Sequence, residues 1–136
     1  MSDPSQELIA GLFQALLNDV ELAALLGAPK VFDRVPERCV FPYVVVGRTS
    51  VTDWSTATEG GTAIVVLIHT WSDTTDRAQS HGIQQRIDAI LTGTLPPMAN
   101  HTLVQLRNQL TETWRDHNDG HLHGVMRFRA LVEQIN

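Results

Sequence analysis

The stretch that decides the fold is DGHLHGVMRFRALV, Asp119 to Val132. An Asp-Gly pair between two strand-like runs is a strong short-range hairpin signal. In the extended chain that follows, successive side chains point to opposite faces. Leu122, Gly124, Met126, Phe128 and Ala130 fall on one side, and His121, His123, Val125, Arg127 and Arg129 on the other. The first set reads as a core face and the second as an outward face. A strand patterned this way belongs to a sheet with one side against the core.

Working outward, TLVQLRNQLTETWRD before the turn completes a hairpin. Further upstream, TAIVVLIHTW, Thr62 to Trp71, is apolar on both alternations. Such a run predicts an interior strand covered on both faces. Its hairpin partner is the segment from Phe41 to Val51, with Tyr43, Val44, Val45 and Val46 in a β-branched run. A short extended piece, Val31 to Val35, precedes it, and Pro36 and Pro42 stay clear of central ladder positions. Between the two longer strands lies a polar loop, RTSVTDWSTATEGG, Arg48 to Gly61.

Two segments carry helical spacing. Leu8, Ile9, Leu12, Phe13, Leu16 and Leu17 form one stripe, capped by Asp3 or Ser5 with Pro4 in the first turn. NDVELAALLG adds a short helical stretch with Asn18 or Asp19 as its cap and Gly27 as its stop. In SDTTDRAQSHGIQQRIDAILTG, Ser72, Asp73, Thr74 and Thr75 offer caps, Ala78, Ile83, Ile87, Ile90 and Leu91 form the stripe, and Gly93 ends it. The expected architecture is α+β, an antiparallel four-stranded sheet with two helices packed on one face in the order α-β-β-α-β-β. No linker divides residues 1–136, which are read as a single domain.

Fifteen acidic residues against ten basic ones give a formal charge of −5, which argues against a dedicated nucleic-acid binder. Charged residues make up only 18% of the chain, a hint of protein contact because interface cores are depleted in charge. The lone cysteine, Cys39, permits no intrachain disulfide. The N-terminus has no basic region of a signal peptide, and Gln14, Asn18, Asp19 and Glu21 interrupt the apolar segment Leu8 to Leu26. No membrane span is expected, and the chain is read as cytoplasmic and soluble.

The histidines raise the question of chemistry. His117, His121 and His123 could hold a zinc ion with Asp116 and Asp119 behind them, as a metal-dependent enzyme would require. Arg127 and Arg129 continue the same face and disfavour a cation, and HExxH and CxxC motifs are absent from the sequence. His69, beside Leu67 and Trp71, reads as a hydrogen-bonded, largely buried histidine. GxSxG and phosphate-binding loops are also absent, and Cys39 has an apolar setting. The expectation is no enzyme, no cofactor and no metal. What remains suits binding: Trp54 in the long loop, and the outward stripe of His121, His123, Arg127 and Arg129. The candidate subunit or partner interface is Arg48, Asp53, Trp54, Glu59, His117, His121, His123, Arg127 and Arg129.

The ordered set VFDRVPERCVFPYVVVG, DWSTATEGG, VLIHTWSD and WRDHNDGHLHGVMRFRALVE resembles the tail-completion, or tail-terminator, family of long-tailed phages, prophages and gene transfer agents. The similarity runs from Leu8 to about Glu133. It implies a small α+β subunit of a homo-oligomeric, typically hexameric ring at the head-proximal end of a tail tube. Such a ring ends tube polymerisation and joins the tail to the head connector or stopper protein, and DNA crosses its lumen without specific binding. A neck or stopper protein of the same machine is the alternative. By position, Asp33, Arg34 and Pro36 shape the turn before the first long strand, Phe41, Pro42 and Tyr43 set its start, and Asp53, Trp54 and Ser55 begin the loop.

Overall fold

The computed structural model describes residues 3–73, 76–93, 95 and 97–134. Helix α1 (Pro4–Leu17) starts at Asp3, whose carboxylate accepts from the Ser5 N–H, and carries Pro4 at its first position. Its buried residues, Leu8, Leu12 and Leu16, are four apart and so lie one above another on the face toward the sheet. Burying each leucine stabilises by about 1.5–3 kcal/mol, more than a cap contributes, so packing rather than capping holds this helix. Helix α2 (Val20–Leu26) begins at Asp19, which accepts from the Leu22 N–H, and stops at Gly27 in the left-handed conformation. The two helices are bent by 72° to each other, and among the described residues no single helix is long and apolar enough to cross a membrane.

Strands β1 (Val31–Phe32), β2 (Tyr43–Asp53), β3 (Gly61–Ser72), β4 (His101–Arg115) and β5 (Leu122–Gln134) form one sheet in the order β1-β2-β3-β5-β4. β1 runs parallel to β2 and the other pairs are antiparallel. Helix α3 (Arg77–Leu91) lies between β3 and β4 in the chain and buries Ile83, Ile87 and Leu91. All three helices share one core with Val44, Val46, Ile64, Val66, Ile68, Met126, Phe128, Ala130 and Val132 of the sheet.

The α+β class and the two antiparallel hairpins agree with the sequence reading, but the sheet has five strands and mixed pairing, and there are three helices. The difference lies in two short elements. The Asp19 cap makes the NDVELAALLG stretch a helix in its own right. The chain leaving it at Gly27 then runs alongside β2 in the same direction, so the short Val31 segment pairs parallel and ends at Phe32, not Val35. β3 is interior to the sheet, yet only one of its faces is covered within the chain. Ile64, Val66 and Ile68 are buried, whereas Val65, Leu67, His69 and Trp71 are half-exposed. The cap of α3 is Asp76, accepting from the Ala78 N–H, so the helix starts later than Ser72 or Asp73 would place it. The caps offered by Thr74 and Thr75 lie outside the described residues. Ala78 is exposed rather than part of the buried stripe.

Candidate functional site

The alternation of β5 sorts its side chains as the sequence predicted. Leu122, Gly124, Met126, Phe128, Ala130 and Val132 are buried beneath the helices. His123, Val125, Arg127, Arg129 and Leu131 stand on the opposite face, which the chain's own helices leave open. Register aligns Trp71 of β3 and Trp114 of β4 with His123 on either side. The His123 ring stacks on Trp71 at 3.8 Å with 10° between planes, and Trp114 closes the other side at 4.6 Å. Nδ1 of His69 and Nε2 of His123 are 2.9 Å apart, so one ring donates an N–H to the other. Burial lowers the pKa of His69; burial, followed by the charge of His69, lowers that of His123. The pair is thus biased toward its neutral form, in which a single hydrogen bond is satisfied.

Beside this cluster, His121 packs on Phe41 at 4.2 Å, and Phe41 on Tyr43 at 5.3 Å. Its Nδ1 is 2.9 Å from Asp119 Oδ2, and its backbone N–H donates to Oδ1 of the same residue. That backbone bond, with the ring as a further donor, holds the Asp119 carboxyl below the usual range. His117 is exposed in the turn, where Gly120 takes a positive φ of 76°. The three tail histidines therefore go to three different surroundings. Among the described residues, no three His, Cys, Asp or Glu side chains converge as ligands for a metal ion. The His69–His123 bond is invisible to local pattern, because nothing within either strand says that β3 lies beside β5. The usable signal was the alternation that places His69 with Leu67 and Trp71 on one side of β3.

At the other end of the sheet, β2 and β3 are joined by an exposed loop. Residues 48–60 are all exposed. The loop is ordered by its own polar groups: Asp53 Oδ1 accepts from the Ser55 hydroxyl at 2.6 Å, the Trp54 N–H donates to the Gly61 carbonyl, and Thr56 N–H to that of Glu59. Trp54 lies over Gly61, where an added Cβ would sit 2.9 Å from its ring, and stays 37% exposed. Asp53, Trp54 and Glu59 share this loop end, Arg48 of β2 lies level with Arg127 and Arg129 in the middle of the sheet, and His117, His121 and His123 lie toward its far end. The nine candidate residues thus form three groups, not one site.

The chain thus presents an open sheet face and an exposed, ordered loop. The sequence model of the tail completion protein gp17 family matches residues 10–133. The chain is 30% identical over 92 residues to the tail completion protein gp17 of Bacillus phage SPP1, an alignment covering 68% of each. A chain from the virion of a native gene transfer agent particle superposes with TM-score 0.86 at 27% identity, covering 98% of this chain and 99% of that one. The structure of bacteriophage SPP1 gp17 gives a TM-score of 0.62 at 25% identity, over 97% and 91% of the two chains. The chain belongs to the tail completion protein gp17 family.

Proposed function

We propose that this chain is the structural ring subunit at the head-proximal end of a phage-like tail. It assembles in the bacterial cytoplasm as a hexameric homo-oligomer, stops growth of the tail tube and presents the surface that meets the head connector. The observation that carries this reading is the shared fold, over 98% of the chain, with a component of a gene transfer agent virion. The geometry is consistent with it. Reactive side chains are dispersed, while a sheet face and an ordered loop are open to contact. Asp53, Trp54 and Glu59 at the β2–β3 loop, Arg48 on β2, and His117 on the opposite turn are the residues assigned to neighbouring rings. The net charge of −5 suits a lumen through which DNA slides, since basic linings bind phosphate.

Deleting the gene tests the reading. Loss of a terminator leaves overlong tubes without heads, whereas loss of a neck or stopper protein leaves tails of normal length. Tails of normal length on deletion, or a purified chain that stays monomeric alone and with tail tubes, would overturn it.

A further inference from the structure

The open face carries a cluster of unpaired arginines. Arg107 of β4 is the direct cross-strand partner of Arg129 on β5, and Arg127 stands two residues along on the same face. Arg107 and Arg127 are exposed and Arg129 half-buried. Among the described residues none of the three has an ion-pair partner; Arg86 is the arginine held by carboxylates, those of Asp19 and Glu21. Like charges directly opposite each other destabilise a strand pair, a penalty that an incoming carboxylate removes. Aliphatic side chains frame the cluster. Leu67 and Val65 of β3 flank Arg127 and Arg129, and Leu110, 48% exposed, lies opposite Arg127. Arginine and aromatic side chains on an apolar ground are the composition of a protein interface. A phosphate-binding surface would be more polar and set in a less acidic protein.

The complementary charge sits elsewhere on the same chain. Between residues 3 and 29, 49 and 73, and 130 and 134 there is no lysine or arginine. These segments meet at the end of the sheet bearing the β2–β3 loop, where a 490 Å³ cleft is lined by Pro4, Asp53, His101 and Gln134 among others. Asp53 lines it, Glu59 precedes its wall residue Gly60, Glu133 lies opposite Gly61 in register, and Glu7 accepts from the Asn100 N–H beside it. The one base among them, His101, is engaged by Glu7 at 2.6 Å. Among the described residues the arginines in the middle of the face form no ion pair with Asp53, Glu59 or Glu133 of the same copy.

We infer that the Arg107–Arg127–Arg129 patch docks on the Asp53–Glu59–Glu133 end of a second copy of this chain. Such a contact is heterologous, one surface against a different one, and it closes into a ring when the rotation permits. It rests on the ring reading above and names the surfaces that make it.

Charge reversal tests it on the full chain, read by light scattering and negative-stain imaging. Arg127→Glu with Arg129→Glu places acid against acid, and Glu59→Arg with Glu133→Arg places base against base. Each variant, with unchanged circular dichroism, is expected to self-associate on the order of 10- to 100-fold more weakly than the unsubstituted chain. Mixed in equal amounts they restore rings, because each altered surface then meets its opposite on the other variant. The chain carrying all four substitutions assembles alone. If both variants form rings as the unsubstituted chain does, or the mixture stays dissociated, the patch is not the interface while the ring reading stands. If the unsubstituted chain is monomeric alone and with tail tubes, both fall. Duplex DNA binding that the Arg127→Glu and Arg129→Glu variant loses, with rings intact, overturns the proposal in favour of a nucleic-acid face.

Discussion

The helix-covered face and the open face are built on the same strands, and in β5 they alternate residue by residue. Beneath the helices the sheet is nearly all aliphatic, closed around Phe128, Ile68, Leu12 and Ile87, each fully buried. On the open side the same backbone carries a hydrogen-bonded histidine pair between two tryptophans, three arginines and half-exposed aliphatics. Folding free energy is concentrated on the first face, where area leaves water completely. The second retains polar groups and exposed apolar area that a stable monomer does not need, which is how a surface reserved for contact differs from a core. The contrast can be broken by substitution.

The largest effect is expected at the centre of the core. Phe128→Ala removes a fully buried ring and should destabilise by about 3–5 kcal/mol. Leu110→Ala on the open face should cost less than about 1 kcal/mol in the isolated chain. Urea denaturation of both variants measures the ratio. Near-equal losses would mean that the open face is as tightly packed as the covered one.

That contrast was partly legible in the sequence. Alternation in His121–Ala130 divided the faces, and the Asp119-Gly120 turn placed the hairpin, because both signals are local. The doubly apolar run Thr62–Trp71 misled: it implied cover on both sides, but composition cannot say whether the second cover comes from the same chain. The two-residue β1 is too short to carry a periodic signal at all. His69 is hydrogen-bonded as its apolar setting implies, though half-exposed rather than largely buried, and its partner depends on β3 lying beside β5, a choice made by the whole sheet. The arginine patch was half seen: Arg127 and Arg129 stand out on one strand, and Arg107 joins them only through the β4–β5 register, which two irregularities at Leu103/Gln105 and Asn108/Leu110 shift.

A second comparison uses two glycines, one on each face. A Cβ at Gly124 would run into Gln84 Nε2 and Thr70 Oγ1. Thr70 is buried on β3 and Gln84 on the inner side of α3, where Gln84 donates to Thr113 Oγ1 at 2.9 Å and so has little freedom to move. Gly124→Ala should cost about 1–3 kcal/mol, the usual range for overpacking a core. A Cβ at Gly47 would sit 2.7 Å from His69 Nε2. That atom is the far end of a flexible side chain, so Gly47→Ala should cost about 1 kcal/mol, the net worth of the bond to His123 that it breaks. Urea midpoints together with histidine NMR shifts distinguish the two. A Gly47→Ala loss as large as that of Gly124→Ala would show the open face to be rigid.

The smallest expected effect separates the faces by pH. Burial holds His69 below its ordinary 6.5, and burial with the His69 charge does so for His123, opposed by Asp116. Such a histidine takes up its proton more readily in the unfolded chain. The stability of the neutral pair is therefore complete above about pH 6.5 and is lost as pH falls through the folded-state values. On the helix side it is carboxylates that are depressed. Asp19 is lowered chiefly by its hydrogen bond from Arg86, and Glu7 chiefly by the Asn100 N–H. Their contribution is present above the ordinary 3.8 and 4.5 and is lost only as pH falls through their lower folded values. Acid should therefore act on the open face first. Tryptophan fluorescence, reporting Trp71 and Trp114 around His123, should change below about pH 6.5, while circular dichroism holds until the carboxylates titrate. In a chain carrying His69→Gln and His123→Gln the early step should vanish and the late one remain. If that chain keeps the early step, the histidine pair is not its source, and the open face takes no separate part in the acid response.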